Sequence, residues 1–181
     1  MKIEHTPLRD SFVLQPRVFN DERGIFYETY NRNNFKNVTG LDTDFVQDNQ
    51  SVSSYGVLRG LHFQRGKMAQ AKLVRVIKGK VLDIIVDLRK NSKTFGKQYS
   101  IVLDDVEHKQ LFVPRGFAHG FITLSKSSIF AYKCDNYYDA ASESGIIYND
   151  EILAIDWQLP SKDLVISEKD LQLTAFKEVT S

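Results

Sequence analysis

Short apolar runs cut by turn residues constrain this chain more than any other feature. Val81–Leu88 is the clearest run, with Leu82, Ile84, Val86 and Leu88 on one face and Asp83, Ile85 and Asp87 on the other. That period of two marks a strand, because successive side chains point to opposite faces. Ala71–Ile77 precedes it, and Tyr99–Leu103, Gln110–Val113, Gly120–Leu124 and Ile129–Cys134 continue the series. Strands this short and frequent predict an all-β sandwich or barrel. Past residue 150 the character changes. Glu151–Trp157 suits one or two helical turns, and SKDLVISEKDLQLTAFKE from Ser161 has helix-compatible residues with Ser167 as a candidate cap. The expectation is a β core with short C-terminal helices.

The 181 residues predict one domain, 1–181. A chain of this size buries about 70% of its extended surface, enough to need no metal or disulfide staple. Twenty-four basic residues stand against 23 acidic ones, a net charge of +1. That balance argues against a nucleic-acid surface, which needs clustered excess positive charge. Cys134 is the only cysteine, so an intrachain disulfide and a thiolate zinc site are excluded. No run approaches the roughly 18 apolar residues of a membrane span. The opening MKIEHTPLRDSF lacks the apolar core of a signal peptide. A soluble cytoplasmic protein without membrane or nucleic-acid partners is expected. Patterns for dinucleotide binding, a P-loop or a serine nucleophile elbow are missing, so redox, phosphoryl-transfer and hydrolase readings lose weight.

Four histidines invite a cupin-type metal reading. Such sites use close-set ligands, commonly His-x-His on one strand face. Here His62 is followed by Phe63 and Gln64, and Pro114–His119 alone cannot hold a metal, so no metal is expected. Other polar residues can be placed by assuming hairpins. If Leu124 faces Ile129, His119 lies opposite Cys134 and Tyr132 opposite Phe121, making His119 and Tyr132 diagonal neighbours about 7–8 Å apart. If Lys78-Gly79 is a two-residue turn, Lys72 lies opposite Ile85 with Asp83 and Asp87 diagonal to it; a three-residue loop sends it to the other face. Strict alternation sends Arg59 and His62 to opposite faces unless Gly60 introduces a bend or bulge. Ser167-Glu168-Lys169-Asp170 reads as a capping box, which gives Asp170 a purely structural reading.

Seven ordered pieces are more specific: Asp21–Glu28, Gln47-Asp48-Asn49 leading into Gly56–Gln64 as one, Gln70–Leu73, Val86–Arg89 and Pro114–Phe121, with Tyr132-Lys133-Cys134 and Glu168-Lys169-Asp170 completing the set. In order and spacing the chain resembles the dTDP-4-dehydrorhamnose 3,5-epimerase family, metal-free members of the cupin-like jelly rolls, over nearly its whole length. The resemblance implies cofactor-independent epimerisation of dTDP-4-dehydro-6-deoxy-D-glucose at C3 and C5, giving dTDP-4-dehydro-L-rhamnose. It implies His62 as base, oriented by Asp170; Lys72 at the enolate oxygen; and Tyr132 as acid. It further implies substrate contacts at Arg23, Glu28, Gln47, Asn49, Arg59, His119, Glu143 and Lys169, with Phe26 or Tyr137 stacking on thymine. Asp83 is expected as a partner of Lys72. The family implies a homodimer in which Arg23 and Glu28 serve the neighbour's pocket. Alternatives are an epimerase of C3 or C5 alone, a 3,4-ketoisomerase, and a sugar-nucleotide-binding jelly roll without catalysis.

Overall fold

A computed structural model describes residues 1–180; Ser181, the last residue of the expected domain, lies outside the described residues. The strands are β1 (Lys2–His5), β2 (Phe12–Gln15), β3 (Val18–Asp21), β4 (Gly24–Tyr27), β5 (Gln47–Ser54), β6 (Leu58–Gln64), β7 (Lys72–Lys78), β8 (Lys80–Asp87), β9 (Gln98–Asp104), β10 (Gln110–Val113), β11 (Phe117–Thr123), β12 (Ser127–Cys134) and β13 (Glu143–Gly145). Three short helices are α1 (Arg32–Thr39), α2 (Glu168–Leu171) and α3 (Phe176–Thr180). Two sheets face each other in a cupin-like jelly roll. One runs β1-β2-β10-β7-β12-β5, the other β13-β6-β11-β8-β9, and β3 and β4 form a separate hairpin.

The alternation read in β8 holds. Val81 and Ile85 enter the core between the sheets with Val74, Val76, Phe121 and Phe130. Leu82, Ile84 and Val86 enter a second core behind the five-stranded sheet, covered by Leu153, Trp157 and Phe176 of the C-terminal segment. Both faces of β8 are therefore buried, and its neighbours β11 and β9 are in register along its length.

Both assumed hairpins are overturned. β7 pairs with β10 and β12, while β8 pairs with β11 and β9. Gly79, at φ +85°, carries the chain from one sheet to the other. The link from β11 to β12 makes the same crossing, since β12 pairs with β5 and β7. His119 and Tyr132 thus stand on facing sheets and are not diagonal neighbours. Lys72 lies in register with Cys134 and Val113, not Ile85. Side-chain alternation fixes which face of a strand is buried but not which strand lies beside it. Two amphipathic strands joined by one residue bury their apolar faces equally well side by side or face to face.

The helical expectations hold in part. Glu151–Trp157 forms turns and not a helix. The buried Asp150 carboxylate accepts from the backbone N–H groups of Ile152 and Leu153 and, through its other oxygen, of Phe176. The segment from Ser161 yields a single 3-10 turn at Ser161–Asp163, then α2 and α3. Helix α1 had no counterpart in the sequence reading. Asn31 caps it, Gly40 at φ +74° ends it, and Phe35 is its one buried side chain, packed on Phe12 and Phe112. One apolar anchor in eight residues leaves too little periodicity to read.

Asp87 is bonded within its own loop and not to Lys72. Its oxygens accept from Arg89 Nε (2.9 Å), Arg89 Nη2 (2.9 Å), Ser92 Oγ (2.6 Å) and Thr94 Oγ1 (2.6 Å). Burial raises the carboxyl's pKa, but these bonds outweigh it and hold it down at about 2. A pKa depressed below its unfolded value contributes stability above about pH 4, and that contribution is lost as pH falls through 2. Asp87→Asn should cost about 2 kcal/mol at pH 7. In urea melts, the gap between wild type and variant should close between pH 4 and pH 2.

Candidate active site

The inner faces turn polar toward one end of the sandwich. On β12 the sequence of inward residues is Phe130, Tyr132, Cys134; on β7 it is Val76, Val74, Lys72. The polar ends coincide because Cys134 is in register with Lys72. From the facing sheet come His119 on β11 and its register partner His62 on β6. A cavity of about 500 Å³ opens there, lined by Arg59, His62, Lys72, His119, Tyr132 and Asp170 among others. Stacked Phe121 and Phe130, with ring centroids 4.1 Å apart, also line it. A second lobe of about 270 Å³ holds Gln47, Asn49, Tyr138 and Glu143, and shares His62, Lys72 and Tyr132 with the first. The three shared side chains mark where the lobes meet.

Arg59 and His62 reach the same cavity because the pairing of β6 with β11 shifts register between His119 and Phe121. Gly60 permits the shift. It sits at φ +116°, and a Cβ there would lie 2.7 Å from Gly120 Cα and from His119 O. Only glycine fits so close an approach. Arg59 Nε donates to Ser53 Oγ at 3.2 Å.

Asp170 does more than cap a helix. Ser167 Oγ accepts from Asp170 N, which is half of the expected capping box. The Asp170 carboxylate turns instead to β6, with Oδ1 2.8 Å from His62 Nε2 and Oδ2 accepting from Gly60 N at 3.1 Å. Burial pushes this carboxyl up, but the His62 bond and charge, the Gly60 N–H and Ser167 leave it below the usual range. An ionised carboxylate on Nε2 fixes the imidazole tautomer, leaving Nδ1 with the lone pair.

Burial lowers the Lys72 ammonium from its ordinary value, and the carboxylates of Asp83 and Glu143, with the Cys134 thiol once it ionises, oppose that drop. Burial raises the Tyr132 phenol, Cys134 and Glu143 raise it further, and Arg59 opposes. Asp83 is hydrogen-bonded to His119, Oδ2 to Nε2 at 2.9 Å, and makes no ion pair with Lys72. In the second lobe, Lys169 Nζ and Tyr138 Oη both donate to Glu143 Oε2, at 2.7 and 2.8 Å. Tyr138 N donates to Gln47 Oε1.

Ten of the twelve expected site residues therefore converge on one two-lobed cavity. Arg23 and Glu28 do not. Arg23, with 85% of its side chain exposed, pairs with Asp21 on the β3–β4 hairpin, and Glu28 accepts from Asn31 and Asn34. Sequence reasoning missed Tyr138 and Ser51, which line the cavity, and Ser53, which holds Arg59. The aromatic pair Tyr137-Tyr138 was the available signal, and the structure puts Tyr138, not Tyr137, in the cavity wall. Among the described residues, no group of three or more His, Cys, Asp or Glu is placed to hold a metal ion. Nor is any helix long and apolar enough to cross a membrane.

A jelly roll whose two sheets contribute an imidazole, a lysine and a phenol to one cavity, with a carboxylate from α2 on the imidazole, defines an acid–base enzyme acting on a polar small molecule. The chain belongs to the dTDP-4-dehydrorhamnose 3,5-epimerase family, whose model matches residues 5–178. It is 49% identical to the dTDP-4-dehydrorhamnose 3,5-epimerase of Escherichia coli K12, over 99% of this chain and 96% of that one. The crystal structure of the epimerase from Elizabethkingia anophelis NUHP1 superposes with a TM-score of 0.95 at 54% identity, covering 100% and 99% of the two chains. That of the Legionella pneumophila enzyme, in complex with dTDP-4-keto-L-rhamnose, superposes at 0.93 with 41% identity, covering 97% and 93%.

Cys134 is fully buried beside Asn49, and burial pushes its thiol up to about 11. A thiol so protonated is a poor nucleophile. The folded protein should leave Cys134 unmodified by an aromatic disulfide reagent at pH 8, while the urea-unfolded chain should release one equivalent of thiolate.

Proposed function

We propose that this protein is a dTDP-4-dehydrorhamnose 3,5-epimerase, inverting C3 and C5 of dTDP-4-dehydro-6-deoxy-D-glucose on the way to dTDP-L-rhamnose. The observation that carries this reading is the meeting of His62, Lys72 and Tyr132 at the junction of the two lobes. Both reacting carbons flank the C4 ketone, so removing either proton gives an enolate. His62, held by Asp170, takes the proton through Nδ1 and becomes an imidazolium stabilised by the carboxylate. Lys72 meets the C4 oxygen, where negative charge grows only as the proton leaves, so its help is specific to the transition state. Tyr132, kept protonated by burial, returns a proton to the opposite face. Proton exchange with solvent resets both groups. Only protons move, so the scheme needs no electron acceptor.

Arg59 suits the diphosphate, since a guanidinium forks onto phosphate oxygens. His119 contacts the sugar, and Gln47, Asn49, Glu143 and Lys169 form the nucleotide side of the site. The whole chain works as one domain, in the cytoplasm, as a homodimer. Support for the dimer comes from the β3–β4 hairpin, which carries Arg23 and leaves Phe26 72% exposed, away from its own cavity. Arg23 and Glu28 then complete the partner's site.

Incubation with the substrate in deuterium oxide, without metal or nicotinamide, should place deuterium at both C3 and C5. Label at one carbon would show a single-centre epimerase, and an altered carbonyl position a ketoisomerase. His62→Ala and Tyr132→Phe should each lower kcat by about 100-fold or more. Normal rates in both would remove the catalytic assignment. Arg23→Ala and His62→Ala proteins, each weak alone, should regain activity when unfolded and refolded together, because a mixed dimer holds one complete site. No gain would mean that Arg23 serves its own protomer or none.

A further inference from the structure

Asp83 sits behind the cavity wall and is fully buried on the inner face of β8. One carboxylate oxygen meets His119 Nε2 at 2.9 Å; the other, Oδ1, is buried without a hydrogen-bond partner among the described residues. Burying a half-satisfied carboxylate is costly. Orienting His119 does not require a charge, since a neutral acceptor would hold Nε2–H equally well. A negative charge there also opposes the lowering that burial imposes on Lys72.

Lys72 makes no salt bridge among the described residues; its ammonium lies 5.7 Å from the centre of the Tyr132 ring. The titratable groups around it are Asp83 on β8, His119 on β11, Arg59 and His62 on β6, Tyr132 and Cys134 on β12, Glu143 on β13, and Lys169 and Asp170 on α2, the last with both oxygens engaged by His62 and Gly60. Cys134, with its thiol pushed up to about 11, carries no charge near neutrality. Glu143 is already engaged by Lys169 and Tyr138. That leaves Asp83 as the carboxylate with an uncommitted oxygen.

We propose that Asp83 is a positioning residue. It clamps the His119 ring through Nε2 and supplies the buried negative charge that keeps Lys72 protonated for the enolate oxygen. The inference rests on the epimerase reading for its catalytic consequence, but not for the state of Lys72.

Asp83→Asn keeps the shape and an acceptor for His119 and removes the charge. The alkaline limb of the kcat profile should then move down by about one pH unit or more, with KM changed less than about threefold. In a Lys72→Ala background the same substitution should alter kcat by less than about twofold. Without substrate, the ¹⁵N NMR titration of Lys72 Nζ should also move to lower pH. If the amide variant fails to fold, Asp83→Leu carries the same expectation for that titration. An unmoved alkaline limb together with an unmoved Lys72 titration overturns the proposal. If wild type fails to turn over the sugar, the epimerase reading falls and the Lys72 titration alone decides the role of Asp83.

Discussion

The contact between Asp170 and β6 is the interaction on which the site depends. Helix α2 has four residues, far too few to hold itself together. Its position comes from what it touches. The Asp170 carboxylate takes the Gly60 N–H and the His62 ring, two groups more than 100 residues earlier in the chain. Short parallel bridges, Val57 with Val165 and Ile146 with Thr174, tie down the chain on either side. The same C-terminal segment brings Trp157 and Phe176 over the back of the five-stranded sheet. Orientation of the imidazole and closure of the second core thus rest on one segment of chain.

The interior tolerates this many polar groups because they are graded along the strands. Apolar side chains fill the middle of the sandwich, and the polar ones gather where the sheets part. The Phe121–Phe130 stack lies between these zones. Each buried acid near the cavity has a donor: His119 for Asp83, and His62 with Gly60 for Asp170. Lys72 and Tyr132 have no hydrogen-bonded partner of this kind among the described residues, and their ordinary proton affinities are shifted chiefly by burial. Groups left uncommitted in a low-dielectric wall are available to a ligand, whereas paired ones are occupied in holding geometry.

Much of this could be read from residue order, and the limits have physical causes. The inward face of β8 follows from Leu82, Ile84 and Val86 alternating with Asp83, Ile85 and Asp87, because period two is a local property. Strand adjacency is not local. Lys78-Gly79-Lys80 looks like a hairpin, yet the chain changes sheets there, and nothing in three residues distinguishes the outcomes. Asp170 shows the same limit. Its spacing from Ser167 fits a capping box, and Ser167 does cap the helix, but the carboxylate is drawn to Gly60 by tertiary contact. The register shift at Gly60 was legible only as an option, since a glycine permits a bulge without requiring one. Tyr138 escaped because a tyrosine pair between two loops gives no sign of which ring turns inward.

The sheet crossing bears directly on the chemistry. Inverting a carbon requires one group to remove a proton from one face and another to deliver a proton to the opposite face. Two residues on neighbouring strands of one sheet, as the hairpin arrangement would have had His119 and Tyr132, project to the same side of a ligand lying above them. His62 belongs to the five-stranded sheet and Tyr132 to the six-stranded sheet, and both reach the junction of the two lobes. Under the proposed roles, a planar enolate held between the sheets would meet the imidazole on one side and the phenol on the other. The facing of the sheets, set by apolar burial in the middle of the sandwich, therefore supplies the stereochemical requirement at its polar end. Under those roles the same argument covers both centres, because C3 and C5 both flank the C4 carbonyl and either enolate places its negative charge on the C4 oxygen.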